Sequence, residues 1–131
     1  MFVDASALTA MLTNESDARE LLARLQNAQT RQTSPLAVWE TAIAVARILA
    51  LPPLGAKEAV VAFLALTEIS IEPVATETFH LAVEAYDRYG KSRHPAGLNF
   101  GDCFAYACAR HAHVPLLYKG DDFPQTDIEA A

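Results

Sequence analysis

Cysteine is scarce, with Cys103 and Cys108 the only two in 131 residues. Five apart in one helix-forming segment, they match neither a CxxC redox pair nor a zinc knuckle, and a disulfide scaffold is excluded; both read as small packing residues. Long apolar runs are lacking too. None approaches the roughly 18 to 20 residues of a membrane span, and the N-terminus has neither the basic stretch nor the cleavage site of a secretory signal, so a cytoplasmic chain with no membrane partner is expected. Basic charge is in short supply. Ten Lys and Arg against sixteen Asp and Glu leave a net charge of -6, which excludes coating nucleic acid or anionic membrane through bulk positive charge. There are no repeats and no low-complexity segment. What is present is apolar: 52% hydrophobic and 20% charged residues exclude intrinsic disorder, and the length fits a single domain spanning 1–131.

Phe2 to Asp4 is a short apolar entry, and Ala5 to Leu12 is helix-forming, so a strand runs straight into a helix. Asp17 with Glu20 resembles a capping box ahead of Ala18, Leu21, Leu22 and Leu25, a helix ending near Gln29. Ser34-Pro35 is a strong helix start, and that helix can run to Leu51 before Pro52-Pro53. A further helix covers Ala56 to Leu66, and Ile69 to Ile71 alternates as a strand. Thr76 is placed to cap a helix through Tyr89, with Gly90 as its stop. Lys91 to Leu98 has no periodicity and reads as a loop. A helix follows from Phe100 to about His111, then a strand from Val114 to Tyr118. Strands separated by helices predict a parallel sheet in a three-layer α/β/α sandwich, with any ligand beyond the carboxyl ends of the strands.

Four acids fall at such places: Asp4 after the first strand, Glu40 within the Ser34 helix, Asp102 early in the Phe100 helix, and Asp121 after the last strand. Simpler roles exist for three. Asp4 fits a helix cap, Asp102 suits the positive end of a helix dipole, and Asp121 and Asp122 are ordinary turn residues. Glu40 is harder to place in solvent, because Leu36, Ile43 and Ala44 share its face; it needs a partner, either Arg47 or a cation. If the four converge, carboxylates about 6 Å apart at an effective dielectric near 20 repel by roughly 3 kcal/mol per pair. Protons or a hard divalent cation must offset this, and oxygen-only ligation favours Mg²⁺ or Mn²⁺. Such an ion suits phosphodiester hydrolysis.

The opening Met1-Phe2-Val3-Asp4-Ala5-Ser6-Ala7-Leu8, the Ser34-Pro35-Leu36 helix carrying Glu40, the segment Leu98-Asn99-Phe100-Gly101-Asp102-Cys103-Phe104-Ala105-Tyr106-Ala107, and Leu116 through Phe123 together resemble a PIN-domain ribonuclease of the VapC toxin group. The resemblance spans the whole chain. It implies an Mg²⁺-dependent endoribonuclease, a homodimer, and inhibition by a VapB-type antitoxin that places a basic residue among the acids. It implies Asp4, Glu40 and Asp102 as core acids and metal ligands. For the fourth acid, Asp121 is taken as first after the strand, with Asp122 adjacent. Ser6 matches a small hydroxyl position that orders the site or caps the first helix, and Asn99 either touches RNA or caps its helix.

A nuclease must meet a polyanion, and Arg88, Lys91, Arg93 and His94 form the densest basic stretch. Lys91 and Arg93 are therefore candidates for gripping RNA phosphates, against a plain solvated loop. Four of the acids in excess would belong to the site itself. His111 and His113 lack a third nitrogen or sulfur ligand nearby, and His80 reads as structural. Two alternatives remain at this level: a phosphorylation-receiver-like Mg²⁺-binding signalling domain, which Glu72-Pro73 after the third strand disfavours, and a PIN nuclease acting on DNA. A haloacid-dehalogenase-type phosphatase needs a DxD where this chain has Asp4-Ala5-Ser6.

Overall fold

The computed structural model describes residues 1–131. Four two-residue strands, β1 (Phe2–Val3), β2 (Gln32–Thr33), β3 (Ser70–Ile71) and β4 (Leu116–Leu117), make one sheet in the order β3-β2-β1-β4. All pairings are parallel. Between them run α1 (Ala5–Leu12), α2 (Ala18–Gln26), α3 (Pro35–Ile48), α4 (Pro53–Leu66), α5 (Thr78–Tyr89) and α6 (Phe100–Ala112), and a short 3₁₀ turn covers Phe123–Gln125. The expected α/β/α sandwich is therefore present, and the strand period of two explains it. Val3 and Leu117 face one core with Leu8, Leu21, Val45 and Val60, whereas Phe2 and Leu116 face the other with Ala85, Leu98 and Tyr106. No helix is long and apolar enough to cross a membrane.

β2 was not expected from the sequence. It spans two residues, and its place comes from long-range bonds: Gln32 N–H donates to the Met1 carbonyl and the buried Thr33 hydroxyl donates to the Val3 carbonyl at 2.8 Å. Several helix ends also differ. Ser34 caps α3 as expected, its side chain accepting from the Ala37 N–H, but the helix ends at Ile48. The helix expected from Ala56 starts at Pro53, because Pro52-Pro53 suits a first turn as well as a stop. Asp17 makes no capping bond to α2; its carboxylate turns toward Lys119 instead. Thr76 gives no cap either, and α5 begins at Thr78, whose buried hydroxyl donates to the Ala75 carbonyl. Gly90 does stop α5, where a Cβ would meet the Tyr86 carbonyl and ring.

Both cysteines are buried, and burial pushes each thiol up to about 11, which suits packing rather than nucleophilic chemistry. His80 is exposed and lies against the Phe79 ring, with centroids 3.9 Å apart, so it has no part in the core.

Candidate active site

Asp4 directly follows β1, and its N–H donates to the Leu117 carbonyl at 2.9 Å, fixing the first acid at the carboxyl edge of the sheet. Asp4 also caps α1, the simpler role expected for it. Its Oδ2 accepts from the Ser6 N–H at 2.9 Å and the Ser6 hydroxyl at 2.5 Å. The Ser6 oxygen in turn accepts from the Lys119 N–H at 3.0 Å. One hydroxyl thus ties the start of α1 to the exit of β4. Burial raises the Asp4 pKa, while the hydrogen bonds from Ser6 and Ala5 pull the other way.

Asp102 is fixed by a reciprocal cap at the start of α6. Asn99 Oδ1 accepts from the Asp102 N–H and Asp102 Oδ2 accepts from the Asn99 N–H, both at 2.9 Å. Asn99 therefore fills its capping role. In Asp4 and Asp102 alike, these bonds engage Oδ2. Burial raises Asp102 to about 6, opposed by the Asn99 N–H and reinforced by the charges of Asp4 and Asp122.

Glu40 reaches the same place from α3. Burial pushes its carboxyl up to about 7, with the charges of Asp4 and Asp102 adding to the effect. Its partner is not Arg47, which forms no ion pair with it. Part of its burial comes from α6, where Gly101 leaves room for the carboxylate; a side chain there would overlap it. Ile43, which shares the Glu40 face in the α3 pattern, is exposed.

These three acids line one open cleft of about 330 Å³, together with Ser6, Asn99, Glu15, Arg47 and Lys119. Glu15, Arg47 and Lys119 were not marked as site residues in the sequence. The Lys119 ammonium is tied to the Glu15 carboxylate and lies 3.6 Å from Asp17, so it is held beside the acids by charges of its own. Arg47 is exposed and in no ion pair.

Other sequence candidates lie apart from the cleft wall. Lys91 and Arg93 are not among its lining residues, and Arg93 pairs with Asp87 at 2.7 Å. Arg88 pairs with Asp127 at 3.1 Å. Asp121 and Asp122 are both exposed; Asp121 offers its carbonyl to Gln125, whereas Asp122 is the one whose charge reaches Asp102. His111 and His113 line two different cavities.

The acids of the cleft offer oxygen donors, and the charge of Asp4 adds to the raised pKa of both Glu40 and Asp102. That is the chemistry of a site for a hard cation. No three His, Cys, Asp or Glu side chains are close enough together in this structure to form a ready-made metal-ligand group.

Comparison with known proteins identifies the family. Residues 1–129 match the PIN domain family. A ribonuclease VapC of Mycolicibacterium smegmatis is 40% identical over 130 residues, covering 99% of this chain and 98% of its own. Ribonuclease VapC30 of Mycobacterium tuberculosis is 39% identical, covering 98% and 95%. The crystal structure of VapC20 from Mycobacterium tuberculosis, described as a sarcin-ricin loop cleaving toxin, superposes with a TM-score of 0.75 at 20% identity over 99% of this chain and 97% of that one. At that identity the likeness is one of fold.

Proposed function

Because the chain belongs to the PIN domain family and aligns over nearly its full length with VapC ribonucleases, we propose that it is a metal-dependent endoribonuclease, the toxin of a type II toxin-antitoxin pair. The observation that carries this reading is the meeting of Asp4, Glu40 and Asp102 at the carboxyl edge of the sheet, in one cleft, with Glu40 and Asp102 raised to about 7 and about 6.

The all-oxygen donor set fits Mg²⁺, with Mn²⁺ as its close substitute. Asp4 and Asp102 are the residues that would hold it, each with Oδ2 already fixed by the protein. When bound, such a cation polarises a phosphate oxygen and offsets charge in the transition state. The residues then divide the remaining work. Glu40 orients the attacking water and accepts its proton at the carboxylate, a role suited to a group whose pKa lies near neutrality. Ser6 keeps Asp4 in place through its hydroxyl. Arg47, exposed on the cleft and free of acidic partners, is the side chain best placed to meet a neighbouring RNA phosphate. Asp121 and Asp122 lie beyond the cleft lining; of the two, Asp122 adds its charge to Asp102.

The partners that follow are an RNA substrate and a VapB-type antitoxin that covers the cleft and sets a basic group among the acids. A homodimer belongs to the same reading. Phe79, Val83, Tyr86 and Phe100 line an apolar groove between α5 and α6 and are about half exposed or more, a surface that an assembly would cover. Cleavage of matched RNA and DNA oligonucleotides in Mg²⁺ and in EDTA tests the function. RNA should be cut in Mg²⁺ only; cleavage restricted to DNA, or undiminished by EDTA, would overturn it.

A further inference from the structure

Gly101 occupies the second position of α6, inside a helix, where glycine is a poor choice. Its backbone does not call for it, since the glycines with positive φ are Gly97 and Gly120. The reason lies across the cleft. A Cβ on residue 101 would stand 2.6 Å from Glu40 Cδ and 2.7 Å from Oε2, with Oε1 closer still, and these Glu40 atoms are its three nearest neighbours. The space that glycine leaves open is thus the space that the Glu40 carboxylate fills, one residue before Asp102.

We propose that Gly101 is a positioning residue, which seats the Glu40 carboxylate against the first turn of α6 beside Asp102. A methyl group there displaces the far end of a flexible side chain and touches no other residue so closely. The fold therefore tolerates it while the carboxylate loses its place. This rests on the assignment of Glu40 to the reaction. The distinguishing signature is a helix made better and an enzyme made worse by the same methyl group.

The test is a cycle of Gly101→Ala with Glu40→Gln and Glu40→Ala, read in two ways. In EDTA, Gly101→Ala in the Glu40→Ala background should melt at or above its parent temperature, because the clashing atoms are gone and alanine favours the helix. In Mg²⁺, Gly101→Ala alone should lower RNA cleavage by about a hundredfold, the scale of a misplaced general base, and should add little to the loss in Glu40→Gln. Wild-type cleavage by folded Gly101→Ala would overturn the proposal. So would a fall in melting temperature in the Glu40→Ala background, or full additivity with Glu40→Gln. If the wild-type protein cuts no RNA, the functional reading fails, and the difference between the melting shifts that Gly101→Ala causes in the wild-type and Glu40→Ala backgrounds still decides whether residues 40 and 101 are coupled.

Discussion

At the scale of single residues, Glu40 and Asp102 are carboxyls whose pKa values are raised in the fold, to about 7 and about 6, chiefly by burial. The folded protein thus binds more protons than the unfolded chain between the ordinary carboxylate range and neutrality, so stability falls as pH rises through that window. In EDTA the melting temperature should drop between pH 5 and pH 8, and Mg²⁺ should flatten the drop by taking the place of the protons. A flat or rising profile in EDTA would contradict the electrostatics described above. Arg47 yields a second expectation. Arg47→Ala should raise KM for RNA several-fold and weaken its salt dependence, whereas Lys91→Ala with Arg93→Ala should do less, since neither lines the cleft and Arg93 is paired with Asp87. Steady-state kinetics at two salt concentrations decide between them.

At the scale of elements, the C-terminal tail is clasped rather than loose. Tyr106 donates from α6 to Asp127 at 2.7 Å and Arg88 donates from α5 at 3.1 Å, while the backbone of Glu129 and Ala131 bonds to Leu116 of β4. Tyr106→Phe removes one hydroxyl and should lower stability by about 1 kcal/mol in denaturant melts, with cleavage intact. Unchanged stability would show that the clasp holds nothing. These elements also show what a sequence can disclose. The Ser34 cap with Pro35, the Leu98 to Ala107 segment and the opening strand were legible because caps, periodicity and the acid at a strand end are local signals. β2 was not, since Gln32 and Thr33 are polar and are recruited by partners about thirty residues away. Asp17 misled for a related reason: its spacing to Glu20 mimics a cap, but a lysine 102 positions further along the chain claims it. Glu15 and Lys119 were missed as cleft residues because their pairing spans 104 positions.

At the scale of the whole molecule, the net charge of -6 at first argues against a nucleic-acid partner. The fold gathers Asp4, Glu40 and Asp102 into one cleft, and under the proposed function their charge would serve a cation instead of repelling the substrate. The apolar groove between α5 and α6 points outward, and the mass in solution by light scattering should be that of two chains, falling toward one in Val83→Asp. A monomeric wild-type protein would remove the homodimer from the functional reading. The most direct test of the central claim is the initial rate of RNA cleavage against Mg²⁺ concentration for wild type and Asp102→Asn, with melting curves to establish that both are folded. The expected result is a saturable Mg²⁺ dependence in the wild type and a loss of about a thousandfold or more in folded Asp102→Asn. Wild-type rates in that variant would contradict the assignment of the acidic cleft as the catalytic centre.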